Sequence, residues 1–132
     1  MAYEQPCFKF SATSLVDMRT NQFHFVNIAA DDTVTLCSAL TDIPCGILQN
    51  TPNVGETAEV LAIGISKLRT GAGAALAAGN LVGTDALGEG VTVDPDGAAD
   101  NYYAGQVLAG SNASEICTVL INCINPVIQS GS

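Results

Sequence analysis

Thr57–Lys67, reading TAEVLAIGISK, carries the strongest strand signal in the chain. Leu61, Ile63 and Ile65 recur at every second position, so they share one face of an extended segment, while Ala62 and Gly64 leave the other face small. Upstream of it stands a clear turn, Asn50–Gly55 (NTPNVG), preceded by Ile43–Gln49 (IPCGILQ). Pro44 cannot donate to a ladder and Gly46 has no side chain to pack, so that run is expected to be an edge or kinked strand. Further back, Thr33–Cys37 (TVTLC) follows a turn at Asp31-Asp32. Before it, Gln22–Ala29 (QFHFVNIA) starts with Phe23 and Phe25 on one face, and the apolar phase then moves to Val26 and Ile28, as at a bulge or twist.

Downstream, Gly71–Gly79 (GAGAALAAG) is too glycine-rich for a stable helix and reads as a loop. Asn80–Thr84 and Glu89–Val93 flank a turn at Asp85-Ala86-Leu87-Gly88. Tyr103–Ala109 and Glu115–Ile124 (EICTVLINCI) complete the series, and the last is apolar on both faces. Such a strand belongs in the middle of a sheet or under a partner. No long helical period interrupts the series. The expected fold class is all-β, a small antiparallel β-barrel or sandwich. The 132 residues suit one domain, placed here at 22–132. Residues 1–21 lack the turn rhythm of the rest. They read either as a first strand of the body or as an extended N-terminal arm that packs on a neighbour.

Charge narrows the partners. The formal net charge is −9, and all four bases (Lys9, Arg19, Lys67, Arg69) lie in the first 70 positions. Gly71–Ser132 holds six acids and no base. Nucleic-acid binding depends on Lys and Arg displacing counterions from phosphates, and anionic membranes repel an acidic surface, so neither is expected as a partner. Charged residues make up only 13% of the chain, about half the usual share, so part of the surface is expected to lie in subunit contacts. The first residues show no basic stretch followed by an apolar one, and no run reaches the roughly twenty apolar residues of a membrane span. A soluble protein made in the cytoplasm is the expectation.

Little here suggests chemistry. His24 is the only histidine and stands between two phenylalanines, the setting of a structural side chain. The five cysteines (Cys7, Cys37, Cys45, Cys117, Cys123) show no C-x-x-C pair and read as buried free thiols. Cys117 and Cys123 fall on the same face of one strand, too far apart to bond. There is no G-x-S-x-G elbow or phosphate-binding loop. Asp94–Asn101 (DPDGAADN) has closely spaced carboxylates but is too short for an EF-hand loop, and a solvated loop tip is expected. The sequon Asn112-Ala113-Ser114 reads as chance. No catalytic, cofactor or metal site is expected.

The run Gly46-Ile47-Leu48-Gln49-Asn50-Thr51-Pro52-Asn53-Val54-Gly55-Glu56 resembles the G-I-L-Q-N-x-P-x-x-G-E segment of small phage capsid decoration, or cement, proteins. The same order follows here: a strand ending Gly64-Ile65-Ser66-Lys67, the Ala-Gly loop, Leu81–Gly88, Gly105–Leu108 and Val119–Ile121. The resemblance spans about Ile43–Ile121 and rests on the ordered series, since no one element is diagnostic. It implies a β-barrel or β-tulip-like module on the outer surface of a virion, without catalytic residues, often a homotrimer at threefold or quasi-threefold positions. The major capsid protein would be the partner. Within the arm reading, Phe8, Lys9, Phe10, Leu15, Val16 and Arg19 become the candidate interface residues. The five cysteines and the tail after Asn125 depart from the family pattern. Two other functions fit a chain of this kind: a tail or fibre β-module of a virion, and a lipoyl- or biotinyl-like carrier. The carrier needs a modifiable Lys at a tight hairpin tip, whereas Lys67 ends a long strand.

Overall fold

The computed structural model describes residues 5–93, 102–124 and 127–128. The strands are β1 (Gln5–Ser14), β2 (Phe25–Ala30), β3 (Thr33–Leu36), β4 (Gly46–Leu48), β5 (Thr57–Arg69), β6 (Leu81–Thr84), β7 (Gly90–Thr92), β8 (Tyr102–Tyr103), β9 (Gly105–Ala109), β10 (Ile116–Asn122) and β11 (Val127–Ile128). No helix occurs among the described residues. The Asp94–Asn101 loop lies outside them.

β5 organises everything else. Along one edge it pairs with β1, from Gln5↔Ile65 to Thr13↔Thr57. Along the other it pairs first with β4 at Val60 and Leu61, then with β10 from Ile63 to Arg69. The ladder β1-β3-β2-β4-β5 closes on itself through β1–β5, making a five-stranded barrel. Closure removes sheet edges, which suits a short-stranded domain. One joint differs from an all-antiparallel ring: β1 and β3 run parallel, at Thr13↔Thr33 and Ser14↔Val34. From β10 the sheet continues through β9, β6 and β7. It curls back over the barrel wall, where the Phe25 N–H donates to the Gly88 carbonyl (2.6 Å) and the Gly71 N–H to that of Gly90 (2.9 Å).

Two cores result. Met18, Val26, Val34, Leu48, Ala58 and Val60 fill the barrel, with Phe10, Ala12, Leu36 and Cys45 packed against them. Phe25, Ile47, Leu61, Leu68, Val82, Val107, Cys117, Val119, Ile121 and Cys123 belong to the second, between the barrel wall and the β10-β9-β6 sheet. Consecutive residues of one strand therefore point into different cores: Phe25 and Val26, Ile47 and Leu48, Val60 and Leu61. The apolar phase shift in β2 is thus the mark of a strand covered on both faces.

The same double coverage corrects the reading of two strands. β4 is no edge: it lies between β2 and β5 and all three of its residues are buried. Pro44 sits ahead of the strand, where its missing N–H costs no ladder bond. Gly46 allows the close approach, because a Cβ there would collide with Val60 and the Leu61 carbonyl. In β5, Leu61 and Leu68 enter the same core although seven residues separate them. Strict alternation would put them on opposite faces. They do lie on opposite faces: the even positions are buried from Ala58 to Leu68, and this one face enters the barrel core at Val60 and the second core at Leu68, while Leu61 reaches the second core from the other face. Gly64, on the buried face, takes a φ of +135°, where L side chains rarely go. Ile63, Ile65, Lys67 and Arg69 are only half-buried, so Ile63 and Ile65 are not the fully buried face.

The β6–β7 hairpin follows its turn chemistry. The Asp85 carboxylate accepts from the N–H groups of Leu87 (2.8 Å) and Glu89 (2.9 Å), and Gly88 takes φ +76°.

Candidate functional site

The groups with chemical potential come first. His24 is buried, with Nδ1 3.1 Å from the Gln22 carbonyl and Nε2 3.7 Å from Glu89 Oε2. Arg69 Nε lies 3.6 Å from the same carboxylate oxygen. This cluster ties the entry to β2, the end of β5 and the β6–β7 turn together, so it joins the barrel to the second sheet. The described cysteines, Cys37, Cys45, Cys117 and Cys123, are all free thiols. Burial pushes Cys37 and Cys45 up to about 12 and raises Cys117 and Cys123 as well, which suppresses the nucleophilic thiolate. Among the described residues no group of three or more His, Cys, Asp or Glu is placed to hold a metal ion.

The surface offers more. Twelve large hydrophobic side chains are exposed among the described residues. The six residues singled out from the sequence are distributed as follows. Phe8 is 48% exposed on β1 opposite Ile63, and Lys9 beside it is exposed. Phe10 is half-buried and packs on the barrel core. Five residues on, Leu15 and Val16 are exposed in the segment that leaves β1, where the Leu15 N–H donates to the Val34 carbonyl (2.9 Å). Arg19 is exposed and bound by two parallel hydrogen bonds to Asp17, at 3.0 and 2.9 Å. The Arg19 hydrogen bonds hold the Asp17 carboxyl down at about 2.

These six do not form one patch. Phe8 and Leu15 are seven positions apart, up to roughly 23 Å along an extended strand. Leu15, Val16 and Arg19 cluster locally, Phe8 and Lys9 stand elsewhere, and Phe10 faces the barrel. The register shifts on both sides of Phe8 explain why Phe8 and Phe10, spaced for one face, part company.

The structure adds surface that sequence reasoning missed. Ile28, Ile43 and Ile124 are more than half exposed and line a groove of about 520 Å³ together with Asn27, Pro44 and Cys123. The Asn27 side-chain oxygen is buried there without a partner. Leu108 and Leu120 line a smaller groove on β9 and β10. Ile28 shares the apolar phase of Val26, but it lies beyond the end of the β4 pairing and is exposed.

The described residues thus present exposed apolar surface on a closed barrel, with Cys37, Cys117 and Cys123 buried and Cys45 half-buried. In comparison with known proteins, the family model for phage cement protein matches residues 19–122. The chain belongs to the phage cement protein family. It is therefore a structural protein of a phage virion and a component of its capsid. Among solved structures, the head fiber gp8.5 N base of bacteriophage phi29 is similar, with a TM-score of 0.66 and 15% sequence identity over 88% of this chain and 94% of that one. At that identity the likeness speaks for the fold. No curated protein matches the chain. The all-β reading and the cement-family resemblance both hold, and the match runs on through β10.

Proposed function

We propose that this cement-family chain decorates and stabilises the outer surface of a phage capsid by binding between major capsid protein subunits, as a homotrimer at threefold or quasi-threefold positions. The observation that carries the reading is the family match over a barrel whose exposed surface is rich in large apolar side chains. A shell under internal pressure needs many rigid contacts and no chemistry, and repeated small interfaces gain strength through multivalency. Phe8, Lys9, Leu15, Val16 and Arg19 are proposed as contacts with the shell. Phe10 is proposed to act from inside, by holding β1 against the barrel core.

The two groups of residues are separable by experiment. Phe8→Ala together with Leu15→Ala is expected to lower occupancy on undecorated shells about tenfold or more, since each removes an exposed apolar side chain, with the melting temperature nearly unchanged. Phe10→Ala is expected to do the reverse, lowering the melting temperature first. Unchanged occupancy of the Phe8→Ala/Leu15→Ala protein in a pelleting assay would remove this surface from the shell interface.

The likeness to a head fiber base favours a second reading, a fibre β-module seated on the head. Copy number per particle separates the two.

A further inference from the structure

The β2–β3 hairpin is covered unevenly. β4 covers β2 only at Phe25 and Val26, whereas β1 follows β3 up to the turn, with Thr13 paired to Thr33 and the Thr13 N–H donating to the Asp32 carbonyl (2.8 Å). Past the β4 pairing, Ile28, Ala29, Ala30, Asp31 and Asp32 are all exposed, Ile28 by 66%. Ile28 lines a groove on each side of this finger. The tip is thus apolar and acidic, and between Arg19 and Lys67 the chain has five acids and no base.

Elsewhere the same molecule presents the opposite character. On the open face of the second sheet Leu120 and Ile65 are register partners, and two residues further along β5 stands Lys67, half-buried and paired with the buried Thr118. Leu120 is 51% exposed, and Leu108 borders it across β9. Lys67 holds its ammonium 5.5 Å from the Phe23 ring centroid, and among the described residues no carboxylate forms an ion pair with it. Apolar area with a cation therefore stands on one surface, and apolar area with two carboxylates on another.

We propose that the Ile28–Asp32 hairpin tip of one copy docks on the Ile65–Leu120–Lys67 face of the next copy. The inference rests on the homotrimer reading and names its contact. Two different patches meeting head to tail form a heterologous interface, which closes into a ring when its rotation permits and extends into filaments when it does not. Burying Ile28 against Leu120 and Ile65 supplies the apolar part, and Asp31 and Asp32 facing Lys67 set the register and steer the encounter. A second copy is favoured over the shell because tip and face complement each other in both charge and hydropathy.

Sedimentation of the full chain at micromolar concentration tests this, using wild type, Asp31→Lys, Lys67→Glu and the double variant. Wild type is expected to be trimeric; each single variant should weaken self-association about tenfold or more, and the double variant, with its charges exchanged, should recover it. High salt should weaken wild type in the same direction. If Lys67→Glu lowers the melting temperature, Leu120→Glu at an exposed position takes its place. A wild-type trimer that both single variants leave intact overturns this contact and leaves the trimer standing. A wild-type monomer at every concentration overturns both. A monomer whose shell occupancy falls on Ile28→Ser assigns the tip to the shell protein and overturns the second copy as its occupant.

Discussion

Replacing Phe25 by Ala is expected to cost about 3–5 kcal/mol of folding stability, the range for a fully buried Phe whose site cannot collapse. Phe25 is 0% exposed and sits where the barrel wall meets the second sheet. Its N–H donates to the Gly88 carbonyl and its own carbonyl accepts from the Cys37 N–H, so the backbone around the lost ring is pinned from two directions. Domains of this kind have about 5–15 kcal/mol in total, so the variant should stand close to unfolding at 37 °C. Urea denaturation followed by far-ultraviolet circular dichroism reads the loss directly. A single transition shifted to lower urea is the expected form, because the two cores share β2, β4 and β5 as walls. Two separated transitions, or an unmoved midpoint, would mean that barrel and second sheet are stabilised independently.

Alkaline pH should act on the same interior. Cys37 and Cys45 are pushed up to about 12, and Cys117 and Cys123 are raised, with burial as the first cause in each. The Asp42 charge adds to the effect at Cys37, and neighbouring thiols add to it at Cys123. In the unfolded chain these thiols ionise near the ordinary value of 9.0. The folded state therefore holds protons that the unfolded state has released, and stability falls as pH rises. The contribution is fully present below about pH 9 and is lost progressively as pH climbs toward 12, on the order of 4 kcal/mol for each of Cys37 and Cys45. Urea midpoints measured from pH 7 to pH 11 should decline steeply above 9, and a Cys37→Ala/Cys123→Ala protein should show a shallower decline. At pH 8 the buried Cys37, Cys117 and Cys123 of the native protein should resist a soluble thiol reagent that labels them fully in the unfolded chain. A flat pH profile, or full labelling of the native protein, would contradict the burial of these side chains.

How far the sequence could be read depended on whether one rule of alternation governed each strand. The β6–β7 hairpin was legible because Asp85 and Gly88 are residues whose local chemistry makes the turn without tertiary help. The position of β5 was legible from its length and its alternating Leu61, Ile63 and Ile65, but its buried face was not. That face is the even one, from Ala58 to Leu68, and its middle residues Ala62, Gly64 and Ser66 are too small to announce it by hydropathy. β4 looked like an edge because Pro44 and Gly46 usually mark one. In fact the proline lies outside the strand and the glycine relieves a clash with Val60. Phe25-Val26 and Ile47-Leu48 are adjacent pairs with each member in a different core, a pattern that one-sided burial cannot anticipate.

The candidate surface was legible in part for the same reason. Phe8 and Phe10 are spaced to share a face, and the register shifts beside Phe8 separate them. Ile28 continues the apolar phase of the buried Val26, yet it projects because β4 stops two residues short of it. The low charge of the chain goes together with twelve large apolar side chains exposed among the described residues.

The most direct test of the capsid role is the copy number of this protein in purified particles, measured against the major capsid protein. A fixed ratio near one to one, or a simple fraction of it that places three copies at each threefold position, is the result expected of a decoration protein. A few copies per particle, or none, would contradict it.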